Sequence, residues 1–256
     1  MWMNSQGKPQ VSLVIPAYNE EDRLGKSIDH LLDYFYHKGI NGEIIVVNDG
    51  SIDKTSEIAI GYGAKCVSYE RNMGIAYAFR YGVRFARSEY VFFIPADLDS
   101  LEILDDLLFA LENGSDVVQT SKRHPQSIVI GYSKARWAFS NLWNRLIRFM
   151  FALPYTDTDF VHAFRRSVLE NILPKCRINR AAGETEMIIR AHRAGFKIDL
   201  VPCKITHIER GSINIRFIIN SVLALIILRF WLLEEDLEKL VRSEKIPIRQ
   251  HLGGRP

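Results

Sequence analysis

The sequence predicts an α/β fold built on a mostly parallel central sheet flanked by helices, and three observations predict it. Short β-branched runs alternate with amphipathic segments, acidic and small polar motifs follow the ends of those runs, and the chain is apolar enough to bury a large core. Residues 11–16, VSLVIP, and 43–47, EIIVV, read as strands. Between them, residues 20–36 carry Leu24, Ile28, Leu31, Leu32 and Phe35 at helical spacing. A second helix is expected at about 54–60, a brief strand at 65–69, a third helix at about 76–86 and a strong strand at 90–94. Residues 116–121 read as a further strand, and 197–207, KIDLVPCKITH, as one or two more. In such sheets ligands gather at the carboxyl ends of the strands, where the polar motifs of this chain fall.

With 256 residues, 47% of them hydrophobic and 25% charged, the chain suits one large domain with a short appendage rather than a disordered segment. The division expected is a catalytic domain over 1–212 and a C-terminal apolar helix and tail over 213–256. A net charge of +3 carries no polyanion signature, so nucleic acid is not an expected partner. Cys66, Cys176 and Cys203 are odd in number and far apart, which argues against a disulfide framework or a structural zinc site. The opening residues MWMNSQGKPQ do not read as a signal peptide, so the expected location is the cytoplasmic face of a membrane.

Two stretches point to that membrane. Residues 136–155 mix Trp137, Phe139, Trp143, Phe149 and Phe151 with Arg145 and Arg148, a basic amphipathic composition suited to a bilayer interface. Residues 217–228, FIINSVLALIIL, are uncharged, but fall short of the roughly 18 to 20 residues that a spanning helix needs. An interfacial helix is the expectation, with a buried core helix as the plainer alternative.

Phe92 to Asp99, FFIPADLD, places Asp97 and Asp99 two apart directly after a buried strand. Residues i and i+2 of an extended segment point the same way, so both carboxylates can converge on one cation. Hard oxygen ligands suit Mg²⁺ or Mn²⁺, held together with substrate phosphates. Such a pair also occurs as a plain turn or helix cap. The first strand ends in PAYNEE and the second in VNDGSIDKT. A fixed Asp49 carboxylate can accept a base N–H and Glu20 can hold ribose hydroxyls. Asn19 and Asp53 have the simpler reading of helix caps, and Gly50 that of a turn residue. His162, His192 and His207 have no ligand-like spacing and read as core or surface histidines. Glu184 and Glu186 open an amphipathic helix, where acids favour the dipole.

The order VSLVIPAYNEE, IIVVNDGSIDKT and RNMGIAYAFRYGVRFARSEYVFFIPADLD resembles family 2 glycosyltransferases of the GT-A fold over the first 100 residues. SKRH, KARWAFSNLWNRLIRFMFALPYTDT and ETEMIIRAHRAGFKIDLVPCKITHIERGS resemble the subgroup of dolichol-phosphate mannose and glucose synthases, to about residue 215. The resemblance implies that Pro16, Ala17, Glu20 and Asp49 contact the nucleoside, Asp97 and Asp99 the metal and diphosphate, and Arg123 and Arg136 the phosphates. Arg210 and Ser212 match a loop that closes over the donor, and Glu186 matches an acidic position. Two departures stand out: Leu101 replaces a frequent glutamine after the metal motif, and DTDFVHAFRR lacks a glycine and has His162 near an expected arginine.

The activity expected is an inverting, metal-dependent transfer of a hexose from a UDP- or GDP-linked donor to a polyprenyl or dolichyl phosphate. Such a phosphate is already largely ionised at neutral pH, so Arg123, Arg136 and Arg145 matter as its cationic partners, with Asp157 and Asp159 as candidates for base or positioning duty. The alternatives are a transferase with a soluble or polysaccharide acceptor and a non-catalytic nucleotide-sugar-binding protein. A dinucleotide enzyme is disfavoured, because the only Gly-x-Gly, Gly61 to Gly63, does not follow the first strand.

Overall fold

The computed structural model describes residues 7–98, 100–158, 161–180, 182–206 and 215–243. Alternating strands and helices wind in the order β1 (Val11–Ala17), α1 (Leu24–Lys38), β2 (Gly42–Asp49), α2 (Thr55–Gly61), β3 (Lys65–Tyr69), α3 (Ile75–Val83), β4 (Tyr90–Phe93) and α4 (Glu102–Glu112). There follow β5 (Val117–Thr120), β6 (Ile128–Ile130), α5 (Lys134–Phe151), β7 (His162–Arg165), α6 (Arg166–Ile172), α7 (Gly183–Arg193), β8 (Ile198–Val201), β9 (Lys204–Thr206) and α8 (Ile215–Ser243). Helix α1 begins four residues later than the periodicity predicts, since Glu20 to Arg23 form a turn.

The main sheet has the order β3-β2-β1-β4-β7-β5-β8. All its neighbours pair in parallel except at β7, which runs antiparallel to both β4 and β5. The chain steps from β1 outward to β2 and β3, then returns to the other side of β1 with β4. That reversal opens a crevice beyond the carboxyl ends of β1 and β4, where open α/β sheets take their ligands. Strands β6 and β9 form a small parallel pair of their own.

Strand alternation sorts the core into two layers. Leu13 and Ile15 face one side and pack with Leu24, Ile28 and Leu31 of α1 and Leu104 and Leu107 of α4. Val14 faces the other side, with Phe79 of α3, Phe93, Phe164 and Met187 of α7. The T-shaped Phe79–Phe93 contact, 5.0 Å between centroids, lies in this second layer. A third cluster joins α5, α7 and α8 through Ile147, Ile189, Leu225, Leu228 and Leu232. The 225, 228, 232 spacing gives α8 one buried stripe, while Ile226, Ile227, Phe230 and Leu233 stay exposed. The expected interfacial helix is therefore docked on the domain along one side. No helix among the described residues is long and apolar enough to cross a membrane.

Candidate active site

The loops after β1 and β2 are stitched to each other before they meet any ligand. Asn19 donates its backbone N–H to Ser51 Oγ at 3.0 Å and accepts that of Ile52 at its side-chain oxygen, also at 3.0 Å. The Glu20 N–H donates to Thr55 Oγ1 at 2.9 Å, and Glu21 exchanges bonds with Asp53 and the Lys54 N–H. Asn19 is thus a cross-link between two loops rather than a cap, α1 having no side-chain cap bond, whereas Asp53 both cross-links the loops and caps α2, its Oδ1 accepting the Thr55 N–H at 3.0 Å. Gly50 does supply a turn, at φ 72°, where a Cβ would lie 2.7 Å from the backbone of Arg71 and Asn72.

Against this floor lies a cleft of about 630 Å³, a size suited to a small organic ligand. Pro16, Ala17, Glu20 and Asp49 all line it, so four predicted nucleoside contacts converge. Its far wall comes from elements distant in sequence: Phe139 and Trp143 of α5, Glu184 and Thr185 of α7, and Asn220 and Ser221 of α8. Phe139 and Trp143 are stacked, 6.3 Å apart with ring planes 19° from parallel. The sequence reading assigned both to a bilayer surface; in the fold they help enclose the cleft.

The Asp49 carboxylate is engaged by four donors. Tyr69 Oη (2.8 Å), Asn72 Nδ2 (3.0 Å), and the Met73 and Gly74 N–H groups (2.6 and 2.9 Å) all point at it. A carboxylate offers about four acceptor positions, so Asp49 mainly braces the 72–74 loop that carries Asn72 and Gly74 to the cleft. Burial, reinforced by the Asp49 carboxylate, pushes the Tyr69 hydroxyl well above its ordinary pKa and keeps it a donor.

Glu20 and Asp97 are linked by a residue that motif reading missed. Arg23 donates from Nη2 to Glu20 Oε2 at 2.6 Å and from Nη1 to Asp97 Oδ2 at 3.0 Å. Burial raises the Glu20 pKa above the usual carboxylate value, and the Arg23 charge partly opposes that shift. Asp97 follows β4, with its side chain 56% exposed at the edge of this cluster. Asp99, Asp159, His207, Arg210 and Ser212 lie outside the described residues.

Arg123 sits elsewhere, behind α5. It bonds Asn141 Oδ1 (2.7 Å) and Ser140 Oγ (3.0 Å), lies 5.5 Å from the Trp137 ring centroid, and forms an ion pair with Asp157. With Asn141, Asn144, Arg145, Arg148 and Thr156 it lines a second cavity of about 210 Å³. Asp157 is buried, at φ 56°, and also accepts from Ser121 Oγ at 2.8 Å. Asn144 Nδ2 also donates to this carboxylate, at 3.4 Å. Arg136 lines neither cavity; its guanidinium lies over Tyr132, 5.5 Å away, and its N–H bonds the Ser133 cap of α5.

Glu186 does not face the cleft. It is buried, accepts the Arg177 and Ile178 N–H groups at 2.9 and 2.7 Å, and pairs with Arg190. Arg190 reaches Glu235 at 3.1 Å and so ties α7 to α8. His162 is a core residue, as expected, with neither ring nitrogen hydrogen-bonded; Nε2 lies 3.5 Å from Glu184 Oε2. Leu101, in place of a metal-side glutamine, packs against the first core layer instead.

The family model described as Glycosyl transferase family 2 matches residues 12–173. Dolichyl-phosphate beta-glucosyltransferase ALG5A of Trichomonas vaginalis is 30% identical over 241 residues, which cover 84% of this chain and 72% of the relative. Dolichyl-phosphate beta-glucosyltransferase ALG5D of the same organism is 26% identical over 245 residues, 86% and 73% of the two chains. Among solved structures, glucosyl-3-phosphoglycerate synthase from Mycobacterium tuberculosis in complex with Mn²⁺, uridine diphosphate and glucosyl-3-phosphoglycerate superposes with a TM-score of 0.66 at 20% identity, over 89% of this chain and 84% of the other. Mannosyl-3-phosphoglycerate synthase from Rubrobacter xylanophilus gives a TM-score of 0.64 at 20% identity, over 97% and 79%. At these identities the structural likeness concerns the fold, which is GT-A.

Proposed function

Because this chain belongs to glycosyl transferase family 2, we propose that it moves a hexose from a UDP- or GDP-linked donor to a polyprenyl or dolichyl phosphate at a membrane surface. The observation that carries this reading is the pairing of two cavities: a nucleotide-sized cleft at the ends of β1 and β2, and an arginine-lined cavity on the other side of α5. The dolichyl-phosphate beta-glucosyltransferase relatives support the lipid acceptor.

In this reading Pro16, Ala17 and Glu20 hold the nucleoside, while Asp49 acts through the loop it braces. Arg123, with Arg145 and Arg148, receives the acceptor phosphate, which is already ionised and needs no strong base. Asp157 keeps the Arg123 guanidinium oriented for planar phosphate contacts. Asp157 is therefore a positioning residue rather than a base.

The donor set suits an ion shared with a bound diphosphate rather than one held by protein alone: Asp97 offers hard carboxylate oxygens at an exposed strand end, while no group of three His, Cys, Asp or Glu side chains capable of holding a metal occurs among the described residues. Coordination shared between one or two carboxylates and a diphosphate is the usual arrangement for Mg²⁺ and holds equally for Mn²⁺. Asp97 and Asp99 would hold the ion, which supplies charge neutralisation on the departing diphosphate.

The exposed apolar side of α8, together with Phe149 and the arginines of α5, is the surface proposed to meet the bilayer. The test is a panel of UDP- and GDP-sugars offered with a short polyprenyl phosphate, or with 3-phosphoglycerate as a soluble phosphorylated acceptor, with and without Mn²⁺. A glycolipid detected by mass spectrometry supports the proposal. Product formed only on phosphoglycerate, or none with any lipid, rejects it.

A further inference from the structure

Arg23 occupies an unusual position between the two halves of the donor site. Its guanidinium bridges Glu20, on the cleft wall, and Asp97, on the proposed metal side, at 2.6 and 3.0 Å. At 37% exposure and immediately before α1, its side chain has room to leave either partner. A cation coordinated by Asp97 would lie within a few ångströms of the Arg23 guanidinium in this position. Two cations sharing one carboxylate repel, and a polyphosphate anion between them removes the repulsion.

We propose that Arg23 makes divalent-cation binding at Asp97 depend on a nucleoside diphosphate. This inference rests on the metal reading of Asp97 given above. Without nucleotide, Arg23 competes for the Asp97 carboxylate and weakens metal binding. With nucleotide, the diphosphate gives Arg23 an anionic partner of its own, so that metal and nucleotide bind as a coupled pair. Coupling of this kind is reciprocal: metal tightens nucleotide binding by the same factor. The site would then stay free of adventitious cation until the donor arrives.

The experiment measures Mn²⁺ binding to the full chain by loss of the free-ion electron paramagnetic resonance signal, with and without UDP or GDP. In the absence of nucleotide, Arg23→Gln is expected to bind Mn²⁺ about thirtyfold more tightly than the unmodified protein, as expected for removing one charge about 4 Å from a divalent ion in a hydrated setting. Arg23→Lys, which keeps the charge, is expected to bind weakly like the parent. The gain in Mn²⁺ affinity on adding nucleotide is expected to shrink in Arg23→Gln. Equal Mn²⁺ affinities for Arg23→Gln and the parent without nucleotide, or equal behaviour of the Gln and Lys variants, would overturn the proposal. Asp97→Asn separates the two readings. Undiminished Mn²⁺ binding in that variant removes the metal site itself and the competition with it, whereas lost binding there with no effect at Arg23 removes the competition alone.

Discussion

Asp157 and Asn144 clamp each other: the Asp157 N–H donates to Asn144 Oδ1 at 2.7 Å, and Asn144 Nδ2 returns a bond to the Asp157 carboxylate at 3.4 Å. Both residues are buried, and the same carboxylate holds Arg123, so one loop fixes both α5 and the arginine proposed to meet phosphate. Asp157→Ala should cost about 3–5 kcal/mol of stability in urea unfolding, because it strands a mostly buried guanidinium without its partner. Asp157→Asn should cost less, since Asn tolerates the positive φ and keeps one acceptor.

Arg123→Lys tests the proposed phosphate role. Lysine keeps the charge but loses the planar contacts to Asn141, Ser140 and Trp137. The acceptor KM should rise about tenfold or more while the donor KM changes little. Equal changes in both constants would place Arg123 outside acceptor binding.

Gly74 precedes α3 at φ 103°, and a Cβ there would lie 2.6 Å from the Asn179 carbonyl oxygen and 2.5 Å from Arg180 Cγ. Its N–H is also one of the four donors to Asp49. Gly74→Ala should therefore lose more than about 1 kcal/mol of stability and weaken nucleotide binding together, read by thermal unfolding and by nucleotide titration.

Helix α8 has two faces with opposite expectations. Leu228 is buried against α5 and α7, so Leu228→Ala should cost about 2–5 kcal/mol of helix docking, seen as faster proteolysis near α8. Phe230 is 66% exposed, so Phe230→Glu should leave the unfolding midpoint nearly unchanged but abolish flotation with anionic liposomes. Undiminished flotation would remove α8 from the proposed membrane surface.

Burial, with the Glu186 charge adding to it, pushes the Cys176 thiol up to about 12. A thiol raised in the folded state contributes stability that is present below its unfolded pKa, near 8.5, and is lost as pH rises toward 12. Iodoacetamide at neutral pH should label Cys176 slowly in the native protein and readily in urea, as read by mass spectrometry.

Much of the architecture was legible from local pattern. Strands β1 to β5 and helices α1 to α3 fall within a few residues of their predicted limits, because unbroken β-branched runs mark strands buried on both faces, as β1 and β5 are, and apolar residues at every third and fourth position mark the helices. Pro16, Ala17, Glu20 and Asp49, marked together by the family resemblance, fall on one cleft because they lie at or just after the carboxyl ends of β1 and β2. The antiparallel β7 escaped notice, because strand direction depends on partners rather than on periodicity. Arg23 was hidden for a similar reason: its bridge to Asp97 spans 74 residues and exists only once β4 lies beside β1. The same holds for the roles of Asp49, Glu186 and the inner side of α8. Sequence determined which side chains are carboxylates, guanidiniums and aromatics at which strand ends; tertiary structure alone decided which of them spend their charge on one another and which face the cleft, since electrostatic and hydrogen-bond partnership is set by distance in space.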